Sequence, residues 1–431
     1  MGHQLSTLPS EIGQLQAIEQ LDLGRNHLAF LPNEIGQLQA LQQLDLSENR
    51  LSTLPSSIGE LKALKELYLR ENQLSALPTK IWQLKALQKL SLMWNILSTL
   101  PSSIGQLKAL KELYLLGNQL SKLPTEIGQL QALQRLDLSE NQLSDIPAEI
   151  GQLEFLETLD LRGMQLSKLP TQIGKLQALQ DLHLEGNLLS ALPAEIGQLK
   201  SLQELYLRGN QLSALPAKIG KLQTLEKLDV CFNKLTTLPA ELGQLNALQD
   251  LRLYNNQLST LPPEIGQLQS LQELHLGSKL TTLPPEIGQL QRLQKLHISS
   301  TKLTMLPPEI GQLNALRVLR LYNSQLSTLP PEIGQLQSLQ ELDLREIPLS
   351  KLPAEIGLLK ALQILHLSKT KLSKLPPEIG LLQALQQLYL WDNLLSSLPA
   401  EIGQLQALQR LCLQLSPYEN GNLFPRMSSS A

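Results

Sequence analysis

The chain has 431 residues, a formal charge of −3 and only 3% aromatic residues; its 42% hydrophobic content is mostly Leu, Ile and Ala. So uniform a composition argues against several dissimilar globular domains. The near-neutral charge supplies no basic field for nucleic acid or anionic lipid, and no apolar run approaches the eighteen or so residues of a membrane span.

Taken from the start, Met1-Gly-His-Gln-Leu-Ser-Thr-Leu-Pro has no basic n-region and no apolar stretch, so no signal peptide is read there. A Leu-x-Leu triplet then begins at Leu21 and Leu44 and recurs every 23 residues to Leu411, with a single 22-residue step between Leu274 and Leu296. Searching for internal periods first is what settles the organisation. Eighteen copies of one unit imply a single repeat domain over 1–415, followed by a short tail, 416–431, expected to be partly disordered. The first copy starts within four residues of Met1, with no polar segment to shield its leucines, so the chain is expected to be one part of a longer protein.

One copy, residues 123–143, shows what each position does. Leu136 and Leu138 alternate inward from a short strand while Arg135 and Asp137 point outward. Asn141 turns the chain, and its amide can satisfy backbone groups of neighbouring copies. Pro124 presets φ for the return segment, where Ile127 and Leu130 lie three apart on the core side of a short helical or 3-10 stretch. A glycine follows Ile127 and recurs at that place in every copy except one, where Trp82 stands. A lone unit cannot bury its leucines and must stack on its neighbours. The expected fold is α/β: a curved, right-handed solenoid with a parallel sheet on its concave face and short helical or 3-10 segments on its convex face.

The pattern Leu-Pro-x-Glu-Ile-Gly-x-Leu-x-x-Leu-x-x-Leu-x-Leu-x-x-Asn-x-Leu resembles the 23-residue leucine-rich repeats of the Ras-group type, over residues 5–415. That class includes plant intracellular Ras-group-related proteins, animal Ras-pathway scaffolds, the repeat regions of Roco GTPases and bacterial repeat proteins. The resemblance implies a scaffold for a protein partner, a small GTPase or another signalling protein among them. It says little about which partner, because relatives share the scaffold and differ in what they bind.

A search for chemistry finds no phosphate-binding loop, no His-Glu-x-x-His and no Cys-x-x-Cys. The recurring Glu of Pro-x-Glu-Ile-Gly reads as a solvated outer face. Cys231 and Cys412 lie 181 residues apart, about eight coils, too far to bridge. No enzyme, cofactor or metal is expected. Together with the absent signal peptide, this favours the cytoplasm, with an exported bacterial effector as the alternative location.

Outward positions of the strands carry the variation. Nine of the fourteen aromatics fall there: Tyr68, Trp94, Tyr114, Tyr206, Phe232, Tyr254, Tyr322, Tyr389 and Trp391. Aromatic residues suit strands on intrinsic grounds, which accounts for enrichment but not for placement opposite a leucine core. Tyr and Trp are common interface hot spots. Over the first eight copies, eleven acidic residues meet five basic ones on this face, a field that would attract a basic surface; scattered solvating charge is the competing reading. Arg252, His275, His297 and Arg320 occupy one column on consecutive copies, suited to an anionic or acidic contact. A metal there finds no third ligand beyond Asp343 and is repelled by the arginines.

The Asn column has gaps at Met164, Thr301, Ser324, Ile347 and Thr370, and the short loop Gly277-Ser278-Lys279 lacks it altogether. Weaker or bent stacking is expected between 277 and 370. The leading reading is a non-enzymatic protein-interaction scaffold in intracellular signalling or recognition, with contact on the concave face. The alternatives are the sensor arm of a larger enzyme, such as a Roco GTPase whose catalytic domain lies elsewhere, and a bacterial effector.

Overall fold

Each copy folds alike, for reasons visible in residues 123–143. Leu136 and Leu138 are buried on either side of Asp137, and the strand Arg135–Asp137 is only three residues long. It ends because Glu140 takes a left-handed φ of 53°, which swings the chain out of the sheet. Pro124 (φ −69°) precedes the 3-10 turn Thr125–Gln129, whose buried residues are Ile127 and Gly128. A fully buried Leu or Ile contributes about 1.5–3 kcal/mol before chain entropy is set against it.

The computed structural model describes residues 4–277 and 279–414. The tail expected over 416–431 lies outside them, as does Ser278. The chain divides into two compact units, Met1–Lys234 and Leu235–Ala431. The first carries ten parallel strands in sequence order, β1 (Gln20–Asp22) to β10 (Lys227–Asp229), and the second carries eight, β11 (Asp250–Arg252) to β18 (Arg410–Cys412). Pairing is residue for residue between equivalent positions, as in Glu66↔Lys89↔Glu112 and Tyr68↔Ser91↔Tyr114. A 3-10 turn precedes every strand and stacks on the turn of the next copy within its unit.

Two polar ladders accompany the leucine core. The first is the Asn column. Asn49 Oδ1 accepts the Leu28 N–H at 3.0 Å, while its Nδ2 donates to Leu46 O at 3.0 Å and to Leu23 O, in the preceding copy, at 2.9 Å. The second is a Gln column on the turn side that sequence reasoning did not single out. Gln177 Nε2 donates to Gly174 O at 2.8 Å and to Gln198 O of the next copy at 3.0 Å. Gln291 and Gln337 repeat the arrangement in the second unit. Both ladders satisfy carbonyls that short turns leave without partners.

Close stacking of the turns requires the recurring glycine: a Cβ on Gly128 would lie 2.4 Å from the Glu149 carbonyl oxygen. Where Trp82 replaces it, the indole is buried and its Nε1 has no hydrogen-bond partner.

In the second unit the Asn column fails where expected. Strands β12 (Glu273–Gly277) and β13 (Lys295–Ser299) run on for five paired residues instead of three. Ser324 Oγ and Thr370 Oγ1 each donate to the carbonyl three residues back, at 2.9 and 3.1 Å. Thr301 Oγ1 is buried without a partner.

Candidate functional site

Side chains on the outward face of a parallel sheet stand about 4.8 Å from their neighbours on adjacent strands, so each is covered from the sides by the next copy. That lateral cover decides which of the outward residues are reachable.

In the first unit, Tyr68, Tyr114 and Tyr206 are half-buried, and each hydroxyl donates to the glutamate two residues before it: Tyr68 to Glu66 at 2.7 Å, Tyr114 to Glu112 at 2.9 Å, and Tyr206 to Glu204. Lys89 lies between the first two rings, its Nζ 5.7 Å from the Tyr68 centroid and 5.5 Å from that of Tyr114. Lys227 approaches the Tyr206 ring at 4.9 Å, and His183 stacks on that ring at 4.7 Å. Burial opposes charging of His183, but the Glu185 carboxylate outweighs it and holds the imidazole above its ordinary pKa. Trp94 and Phe232 are the accessible aromatics, 42% and 37% exposed. Both sit on the left-handed residue that ends the strand segment, with φ of 55°. Trp94 lies against Gly117, where a Cβ would meet its ring at 2.4 Å, and Arg208 lies 4.6 Å from the Phe232 ring.

Among the described residues, twelve non-glycine positions in this turn column take φ of 52–58°. Each costs on the order of 1 kcal/mol. The cost is offset by bonds such as Arg25 N–H to Ser47 O at 2.9 Å and Glu48 N–H to Arg70 O at 2.7 Å, which lock the residue to the next copy. No residue type in the column signals the conformation, since Arg, Glu, Trp, Phe and Lys all adopt it.

In the second unit, Arg252, His275, His297 and Arg320 do fall on consecutive strands. The arginines are not idle cations. Arg252 pairs with Asp250 at 2.8 Å, and Arg320 pairs with Glu341 at 2.7 Å. Burial lowers the pKa of His275; burial, then His275 and Arg320, lower that of His297 to about 3. At neutral pH this column therefore presents two neutralised arginines and two uncharged imidazoles. Asp343, the third ligand considered from sequence, is fully buried and bound by Arg345 at 2.6 Å. Asp250, Glu273 and His275 instead bring ligand atoms within 4.8 Å of one another. Arg252 holds the first carboxylate and Lys295, at 2.5 Å, the second, so a cation there would have to displace both.

Tyr254, Tyr322 and Trp391 are half-buried on the position after the second leucine, with Arg345 5.7 Å from the Tyr322 ring and Lys369 5.3 Å from that of Trp391. Tyr389, expected at the surface, is only 3% exposed. His366 stacks on its ring at 4.0 Å, and its hydroxyl donates to Gln387 at 2.8 Å. The expectation overlooked lateral cover by large neighbours. No helix among the described residues is long and apolar enough to cross a membrane.

The family description "Leucine-rich repeat region" matches residues 10–95, 135–210, 205–279 and 308–372, and "Leucine rich repeat" matches 85–143. Among the curated proteins, none matches the chain. Of solved structures, a leucine-rich-repeat protein of Leptospira interrogans is 42% identical, over 95% of this chain and 100% of its own, with a TM-score of 0.80. A plant peptide hormone receptor solved in complex with RGF2 is 31% identical, over 94% of this chain and 76% of its own, at 0.71. YopM from Yersinia enterocolitica is 29% identical over 96% and 80%, at 0.68. Proteins with this fold are generally interaction scaffolds rather than enzymes. With these matches spanning most of its length, and with its strands and turns arranged as described, the chain belongs to the leucine-rich-repeat family.

Proposed function

We propose that the protein is a non-enzymatic scaffold that binds a protein partner on the outward face of its strands. The observation that carries this reading is Trp94 and Phe232, held accessible on left-handed residues beside half-buried tyrosines. Exposed aromatics on a rigid support bind with little loss of side-chain freedom, and Tyr and Trp supply much of the energy at interfaces. In the first unit the carboxylates of this face outnumber its cations, so the partner surface is basic and its encounter is accelerated by charge. The similar plant receptor, solved in complex with RGF2, is a precedent for recognition by this fold. With only two cysteines in 431 residues the chain suits a reducing cytosol; export from a bacterial cell is the rival location, which cell fractionation separates.

The test is partner capture from the source cell by variant chains. Trp94→Ala and Phe232→Ala are each expected to weaken capture about tenfold or more, as truncated hot spots do. Glu241→Ala, on the turn side, is expected to leave it unchanged. Loss of capture by the turn-side variant alone would overturn the assignment of the face.

A further inference from the structure

One place on the strand face of the first unit is built like a receptor rather than a row of side chains. Strands Glu66–Tyr68 and Glu112–Tyr114 have the same sequence, Glu-Leu-Tyr, and flank Lys89–Ser91, which reads Lys-Leu-Ser. The register sets Ser91 between the two tyrosines and Lys89 between the two glutamates. Two strand spacings put the rings about 9.6 Å apart, enough for one aliphatic chain between two aromatic faces. Ser91 is small and buried, and forms the floor. At one end stand the Glu66 and Glu112 carboxylates, each already oriented by a tyrosine hydroxyl.

The molecule shows what such a notch holds. Lys89 lies in it, its ammonium near both ring faces and 2.8 Å from Glu112. Only one of the two glutamates is used in this way. The Lys89 and Glu112 side chains remain 31% and 29% exposed, so an incoming cation can reach the pair. The surroundings stay negative with Lys89 in place: the register sets Asp45 beside Tyr68 and Asp137 beside Tyr114, so with Glu66 and Glu112 four carboxylates face the two cations Lys89 and Arg135. Aromatic faces backed by carboxylates favour cations, and an incoming one competes with Lys89 for Glu112 and the two rings.

We propose that the notch between Tyr68 and Tyr114 receives a lysine or arginine side chain from a basic segment of the protein partner, and that Lys89 is its built-in competitor. This rests on the strand-face reading above and adds the chemistry of one subsite. It makes a prediction that an ordinary contact role for Lys89 reverses: removing Lys89 strengthens binding.

The experiment uses the full chain and a short fluorescein-labelled peptide of alternating lysine and glycine, with a glutamine–glycine peptide as control, read by anisotropy at low ionic strength. Lys89→Gln is expected to tighten binding of the lysine peptide about tenfold, and Tyr68→Leu with Tyr114→Leu to weaken it about tenfold. Lys108→Gln, a lysine on the turn side with the same effect on net charge, is expected to change it less than about twofold. Should the double leucine variant fail to fold by circular dichroism, Glu112→Gln, which keeps both rings, is expected to weaken binding in its place. Weaker or unchanged binding by Lys89→Gln, or equal tightening by Lys108→Gln, overturns the proposal. A chain that captures its native partner through Trp94 and Phe232 yet ignores the peptide loses this subsite and keeps the broader reading.

Discussion

The two units of the molecule share one repeat and differ in how it is held. In the first, Asn26 to Asn233 form a ladder interrupted only at Met164, and each rung bonds across copies. In the second, Asn256 and Asn393 bracket a stretch whose equivalent positions are Thr301, Ser324, Ile347 and Thr370. The strand leucines of interior copies are fully buried in both, with Leu44, Leu46, Leu342 and Leu344 all at 0% exposure, whereas the equivalent Leu411 and Leu413 of the last copy are 40% and 48% exposed. The leucines therefore suffice to stack the coils, and the amide ladder adds fixation of the turn. Where it lapses, β12 and β13 pair over five residues instead of three, and the left-handed residue still follows β13 at Ser300, with φ of 55°. The left-handed turn is present at Ser300, Asn323, Glu346 and Lys369 without an Asn after it, so the ladder reinforces that conformation and is not its sole cause.

The largest effect should come from cutting a rung in the first unit. Asn72 accepts from Leu51 N–H at 2.9 Å and donates to Leu46 O and Leu69 O at 2.9 and 3.2 Å. Asn72→Ala strands those buried groups at a cost of about 3 kcal/mol, measured by chemical denaturation. The matched change in the second unit, Thr301→Val, removes a buried hydroxyl that has no partner; stability should stay within about 0.5 kcal/mol or rise. Equal losses at the two sites would erase the distinction between the units. Hydrogen exchange gives the same comparison without mutation: amides between 280 and 370 should exchange faster than those of the first unit, by about tenfold or more. Uniform protection would remove the expectation of weaker stacking.

Much of this was legible in the sequence because one rule, a leucine every two or three positions within a fixed period, controls burial. Leu136, Leu138, Ile127 and Leu130 are all at 0–1% exposure, where the pattern puts them. The Asn rungs were readable too, since an amide is the side chain able both to donate and to accept there. The left-handed column was not, because its conformation is imposed by neighbouring copies and tolerated by Trp and Glu alike. The Gln ladder was hidden by abundance: in a chain so rich in glutamine, the rung at Gln177 looks no different from the solvated Gln198 beside which it bonds. On the candidate face, alternation tells which way a side chain points but not what stands beside it. That is why Tyr389 and His366, outward by pattern, are covered by one another.

Acid should separate the units next. Burial is the main cause that lowers His366 to about 4 and His297 to about 3, whereas His183 in the first unit is raised, Glu185 outweighing burial. A lowered histidine is neutral when folded and gains a proton on unfolding. Its stabilising contribution is complete above the unfolded value near 6.5 and is lost as pH falls toward the folded value. At about pH 5 this amounts to about 2 kcal/mol for His366 alone. His183 runs the other way: its contribution is present below about 6.5 and is lost as pH rises through its raised folded value. Between about pH 7 and pH 5, exchange protection should thus fall in the second unit and hold in the first. His366→Phe, which keeps a ring against Tyr389, should remove about half of the acid sensitivity and leave the share carried by His297; an unchanged acid response would mean that His366 is not responsible.

The smallest expected effect is also the most direct repair of the difference. At Ser324 the preceding residue, Asn323, already has the left-handed φ of 53°, so the backbone is in the conformation that carries Asn in the first unit. Ser324 Oγ makes one bond, to Leu321 O. A shallow hollow lined by Ser300, Thr301, Lys302, Asn323, Ser324 and Gln325 lies alongside. By the register of Asn49, an amide at 324 would meet the N–H of Leu303 and the carbonyl of Ile298 in the preceding copy. Ser324→Asn should therefore add two cross-copy bonds and raise stability by about 1 kcal/mol, with exchange slowed at Leu303. Destabilisation would mean that the five-residue pairing of β12 and β13 leaves those groups out of reach, and that the second unit has settled into a packing in which an amide rung no longer fits.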